Sequence, residues 1–260
     1  MRCALLIVAS LAGACGGRRD APPAAVDAVT ADAAASADAA PPRTVLFVGN
    51  SYTYVNDLPA EVAAVAAPGA PLVTAASTVG GATLADHWNG AAHAAIDAGG
   101  HAVVVLQGQS LEPLFDPTGF ATHADLLAGA ATAAGATVVF YDTWARRAGD
   151  AVYADPASGG SPDAMQDGLT AAYRAAATRA GGRLAPVGEA RRLALREQPA
   201  IELFDPDGSH PSPAGTYLAA AVFAEVLTGA PPTDAPRLGL DDATRATLRA
   251  IAHRAVIAAP

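Results

Sequence analysis

The chain has 260 residues and a formal charge of −9; 52% of its residues are hydrophobic and only 5% aromatic. Such a chain can bury one substantial core, built largely from small side chains, and its acidic balance argues against a nucleic-acid partner, whose phosphates demand a basic face. Both cysteines, Cys3 and Cys15, fall in the first fifteen residues, so the remainder has no disulfide, thiolate nucleophile or cysteine metal site. No stretch after residue 20 is long and apolar enough to span a bilayer.

The N-terminus places Arg2 before an apolar run from Cys3 to Leu11, followed by small residues ending in Ala12-Gly13-Ala14-Cys15. This is the layout of a secretory leader, and it resembles a bacterial lipoprotein signal in which Cys15 becomes the lipidated first residue. An ordinary cleaved signal peptide is the alternative. The expectation is an extracytoplasmic protein touching the membrane only through that anchor, or else a secreted one. Residues 16–43, rich in Ala, Pro, Asp and Gly and free of aromatics, read as a disordered tether. At about 3.1 Å per residue it would reach roughly 90 Å.

From residue 44 to 260 short apolar runs alternate with Ala-rich helical stretches, the pattern of a parallel α/β sheet. Residues 45–48 form the first strand, continuously apolar and so buried on both faces. Residues 58–67 read as the first helix and 72–76 as the second strand, which ends at Ser77-Thr78-Val79-Gly80-Gly81. The third strand, 102–106, leads into Gln107-Gly108-Gln109-Ser110; 122–134 is helical and 137–141 the fourth strand. The Asp-rich stretch 150–167 reads as a flexible loop flanking a pocket. Residues 164–180 form a long helix stopped by Gly181-Gly182, and 184–187 a weaker fifth strand. Ser212 caps a helix with Pro213 at its first position, running to Leu227 and closing at Gly229. Residues 241–258 form a packing helix. Loops follow the carboxyl ends of strands one to three, where ligands of such sheets bind.

Two constellations carry chemistry. In Gly49-Asn50-Ser51-Tyr52-Thr53 a serine follows a buried strand, exposing its hydroxyl for attack on a carbonyl while its amide can hold the oxyanion. Helix capping, or a phosphate-cradling turn, is the alternative use of such a serine. In Asp207-Gly208-Ser209-His210 a carboxylate and an imidazole can meet on one turn, Asp207 fixing the tautomer and His210 facing Ser51 as general base. An Asp-Gly turn carrying a surface histidine is the plain alternative. The base must be neutral, so activity is expected to fall as pH drops through the ordinary histidine range near 6.5.

These blocks resemble the SGNH/GDSL hydrolases: Gly49-Asn50-Ser51 is similar to the family's first block and Asp207-x-x-His210 to its last. Gly80 or Gly81 stands like the family's oxyanion glycine. Gln109 stands where family members carry the asparagine of a G-x-N-D pattern, and Gln107 replaces the glycine, as in a divergent branch. The resemblance covers residues 44–228. It implies a three-layer α/β/α sandwich with a central parallel sheet of about five strands. It further implies ester or amide hydrolysis through an acyl-enzyme at Ser51, without metal or cofactor, the oxyanion held by Ser51, Gly80 or Gly81, and Gln109.

His87, Trp88, Asp142 and Trp144 are candidate substrate-binding residues, because they follow the second and fourth strands. The expected substrate is a small-molecule or polysaccharide ester, with carbohydrate O-acetyl esters favoured by an extracytoplasmic setting, and the expected state is a monomer. Competing readings are a non-catalytic carbohydrate-binding surface lipoprotein, a flavodoxin-like phosphate or cofactor binder, and a lipase or thioesterase of the same fold.

Overall fold

The computed structural model describes residues 41–66 and 70–259. The leader with Cys15, and the tether up to residue 40, lie outside the described residues. The chain enters the sheet at β1 (Arg43–Gly49), so Arg43 belongs to a strand and not to the tether. β2 (Leu72–Thr78), β3 (Val103–Leu106), β4 (Thr137–Tyr141) and β5 (Arg183–Ala185) complete a five-stranded sheet of order β2-β1-β3-β4-β5, parallel throughout. From β1 the chain steps outward to β2, then crosses back over β1 to β3 and continues to β4 and β5, so the winding reverses beside β1. A crevice therefore opens at the carboxyl ends of β1 and β3.

Both faces of the sheet are covered, which explains the continuous apolar runs. Along β1, Val45 and Phe47 enter one core while Leu46 and Val48 enter the other, and β3 and β4 alternate in the same way. The first core is closed by α2 (Leu58–Val65), α8 (Val187–Glu197), α9 (Pro213–Thr228) and α10 (Asp242–Ala258). The second is closed by α3 (Leu84–Trp88), α4 (Ala91–Asp97), α6 (Pro117–Ala133) and α7 (Pro162–Ala180). Two one-turn helices, α1 (Ser51–Tyr54) and α5 (Glu112–Phe115), follow β1 and β3 directly.

Helix α9 is buried all round and largely apolar because the sheet, α2, α8 and α10 surround it. Ser212 accepts from the Gly215 amide at 3.1 Å, Pro213 takes the first turn, and Gly229 ends the helix in the left-handed region. Three expectations change. α6 begins at Pro117, not at 122, because Asp116 caps it by accepting from Gly119. The fifth strand stops at Ala185, and Val187 opens α8, a helix not anticipated from the sequence. The stretch 150–167 is ordered: Asp150 and Asp155 cap two 3-10 turns, and Asp163 and Asp167 lie on α7, paired with Arg196 and Arg192.

Phe223 of α9 packs edge-on against Phe47 at 5.4 Å and Tyr141 at 4.8 Å, joining the helix to β1 and β4. Phe223→Ala should cost about 3–5 kcal/mol of unfolding free energy, read from urea denaturation; a loss under about 1 kcal/mol would show that this junction is not a centre of the core.

Candidate active site

β1 delivers the chain to Asn50, whose side chain caps α1 by accepting from the Tyr52 amide at 3.1 Å. Ser51 is thereby the first residue of that helix, its hydroxyl raised above the sheet edge and its N–H among those a helix start leaves free. The turn is locked from β3. Fully buried Gln107 accepts at Oε1 from the Asn50 amide and the Thr53 hydroxyl, both at 2.9 Å, and donates from Nε2 to Asn50 Oδ1 at 2.9 Å. A Cβ at Gly49 would come within 2.4 Å of that Oε1, so the residue before the turn must be glycine. Gln107 is therefore a support under the nucleophile turn.

Asp207 and His210 sit in a loop closed on itself by the pairing of Phe204 with Pro211 and by the Asp205 amide donating to His210 O at 2.8 Å. Gly208 turns the chain with φ of +71°, a conformation that suits glycine. Asp207 Oδ1 accepts from the amides of Ser209 and His210 at 2.9 Å, and its Oδ2 meets His210 Nδ1 at 2.5 Å. His210 Nε2 then lies 2.8 Å from Ser51 Oγ. Partial burial works against ionisation of Asp207. The His210 ring and the two amides outweigh it and hold the pKa at about 2. A carboxylate so fixed keeps a proton on Nδ1 and leaves Nε2 as the acceptor for the serine proton.

Ser51, Asp207 and His210 line one cavity of about 530 Å³ with Gly80, Gly81 and Gln109. The turn from Val79 to Ala82 carries Gly81 at φ of +70° and presents both glycines to the cavity. Gln109 Oε1 accepts from the Leu111 amide at 2.7 Å, which fixes the side-chain orientation and leaves its Nε2 as a donor. Buried Glu112 binds the Gln109 and Leu84 amides and so ties the β3 loop to the start of α3. Burial raises its pKa, those amides opposing. Six of the cavity-lining residues, Asn50, Tyr52, Tyr54, Ser110, Arg146 and Ser209, have no role assigned from sequence. Their signal was positional only, since each neighbours a block residue or follows β4.

The four residues marked for substrate binding lie outside this cavity. His87 is buried beneath the site, its Nε2 without a partner among the described residues, and burial pushes its pKa down so that it stays neutral. Trp88 stacks on His93 at 3.8 Å and packs at the margin of the second core. Asp142 is fully buried, bonded to Thr170 and Gln166, and burial lifts its pKa well above the carboxylate range. Trp144 lies behind the site, stacked between Tyr52 at 4.2 Å and the Arg191 guanidinium at 4.1 Å, with Nε1 donating to Ser209 O. All four follow strands whose ends reach the site; their side chains turn into the layers, and Trp144 also lines the neighbouring cavity.

No family profile and no curated protein matches the chain. Among solved structures it is similar to a protein from Slackia heliotrinireducens described as "a putative SGNH hydrolase", at 38% identity and a TM-score of 0.61, over 72% of this chain and 100% of that one. A DUF4886 family protein from Bacteroides uniformis matches at 17% identity and a TM-score of 0.66, over 84% of this chain and 96% of the other. An acetyl-xylooligosaccharide esterase from Geobacillus stearothermophilus matches at 12% identity and a TM-score of 0.54, over 74% of this chain and 97% of the other. The last two share the fold. With the full length of the first covered at 38% identity, the chain belongs to the SGNH hydrolase family.

Proposed function

We propose that the chain is a serine esterase that removes short acyl groups, acetyl above all, from carbohydrate esters. The observation that carries this reading is the 2.8 Å contact of Ser51 Oγ with an imidazole whose other nitrogen is held by Asp207. His210 Nε2 takes the Ser51 proton as Oγ attacks the ester carbon. The tetrahedral oxyanion is held by the Ser51 amide, the Gly80 or Gly81 amide, and Gln109 Nε2. The alcohol leaves with the proton from His210, and a water deprotonated by the same nitrogen then releases the acid from Ser51.

The acyl preference rests on the cavity lining. Among the described residues of its lining, Tyr52 and Tyr54 are the large aromatic members, and the others are glycines or polar and charged residues. A long acyl chain needs a broad apolar wall to enter, which the lining of the triad cavity itself does not offer. Similarity to a Geobacillus esterase of acetylated xylooligosaccharides points the same way. The leader and tether expected from the sequence would place the enzyme on extracellular, polymeric esters.

The direct test is hydrolysis of 4-nitrophenyl acetate. Ser51→Ala should lower kcat by about a thousandfold or more; comparable activity in the variant would exclude Ser51 as nucleophile, and a folded wild-type protein without activity would favour the binding-protein reading. Gln109→Ala should lower kcat about a hundredfold with KM little changed, and an unchanged kcat would remove Gln109 from the oxyanion site. Asp207, with its pKa at about 2, stays ionised through the working range. Asp207 should therefore contribute no limb of its own to the pH profile of kcat/KM between about pH 3 and 7; two ionisations in that range would mean that Asp207 is not held as described.

A further inference from the structure

One cation in the triad cavity has no counter-charge. Arg146 follows β4, lines the cavity together with Ser51 and His210, and donates from Nη2 to Ser110 Oγ at 2.9 Å. Among the described residues no carboxylate lies within ion-pair distance of it. A second cavity, of about 500 Å³, lies next to it, with Arg146 in the lining of both. Five of the chain's sixteen basic residues line that second cavity: Arg146, Arg147, Arg191, Arg192 and Arg196. Three of these are answered, Arg147 by Glu202, Arg192 by Glu189 and Asp167, and Arg196 by Asp163. The exceptions are Arg146 and the fully buried Arg191, whose charge rests on the faces of Trp144 and Phe204 and on one carbonyl, Leu203 O.

In a chain of net charge −9, two unanswered guanidiniums beside one cleft are a local reversal of sign. Arg146, half-buried and bonded on its side chain to one neutral hydroxyl, keeps donors open toward the cavity, and a planar fork suits a carboxylate. The lining between the arginines includes Leu195, Pro199 and Ile201, apolar surface on which a ring can lie. An acetyl group carries no charge, so the anion must sit on the alcohol side of the ester.

Resting on the esterase reading above, we propose that Arg146 is a specificity-determining residue and that the substrate is an ester of an acidic alcohol. Such an alcohol is a sugar unit bearing a carboxylate, as in an O-acetylated uronic acid, with the arginine-lined cavity taking the adjoining acidic units. The carboxylate meets the free donors of Arg146 while the ester carbonyl lies over Ser51.

The test compares 3-carboxyphenyl acetate with its neutral counterpart, 3-carbamoylphenyl acetate, and reads the ratio of their kcat/KM values. Wild type should favour the carboxylate ester about tenfold, a charge-assisted contact's worth, and the preference should shrink as salt rises. Arg146→Gln should bring the ratio to about one, and Arg146→Lys should keep part of it. A wild-type ratio near one, or a ratio unchanged in Arg146→Gln, overturns the proposal, including the case in which the variant loses both substrates equally. If neither ester is turned over, the esterase reading fails on its own. Calorimetric binding of 3-hydroxybenzoate to Ser51→Ala, with and without Arg146→Gln, then decides. Binding that depends on Arg146 sustains the acidic ligand, and its absence overturns it.

Discussion

The site depends first on one buried amide. Gln107 stands at the end of β3 and satisfies the Asn50 N–H, the Asn50 side-chain oxygen Oδ1 and the Thr53 hydroxyl together. A buried amide with its groups satisfied adds rigidity, whereas one left open costs roughly the full desolvation of each group. Asn50 passes the constraint on, because its Nδ2 donates to Ala82 O at 3.1 Å beside the Gly80–Gly81 turn. The loops after β1, β2 and β3 are thus held as one unit, with Glu112 closing the circuit between Gln109 and Leu84. The two glutamines do different work: Gln107 fixes the nucleophile turn and Gln109 faces the cavity.

The other half of the constellation is held from β4. Trp144 Nε1 donates to Ser209 O, the Arg147 amide donates to Gly208 O at 2.9 Å, and Arg147 Nη2 donates to Asp205 O at 3.1 Å. Tyr52 joins the halves, stacking on Trp144 and sharing a 2.8 Å hydrogen bond with Ser209 Oγ. A residue next to the nucleophile therefore touches the loop that carries the base, 157 positions away in the chain. This network is what keeps Ser51 and His210 in register.

The sheet was legible because two-sided burial writes itself as unbroken apolar runs, and β1, β3 and β4 are each buried on both faces. Ser51, Asp207 and His210 were legible because a strand end and an Asp-Gly turn are local features. α8 was not: Pro186 and Gly188 interrupt its start, and its buried face includes Arg191, which a hydrophobic pattern does not count. Trp144 and Asp142 were misplaced for a related reason. Sequence position put them at the productive edge, but side-chain direction after β4 is set by tertiary partners, Tyr52 and Arg191 for one and Thr170 for the other. The role of Gln107 was hidden because all its partners but Gly108 are more than fifty residues away.

Arg191 shows how the fold serves more than one demand. Its guanidinium is buried against two aromatic faces, with Nε and Nη1 unpartnered among the described residues, and burial pulls its pKa down to about 10. At that value the charge persists at neutral pH. A Cβ at Gly215 would come within 2.4 Å of Nη1, so the first turn of α9 can close over this side chain only with glycine there. Arg191 thus supports Trp144 from behind, and Trp144 in turn holds the Ser209 carbonyl. The positive charge beneath the second cavity is therefore part of the scaffold that aligns His210. A cleft favouring anions follows from the way the base is braced, and Arg146 extends that potential to the mouth of the triad.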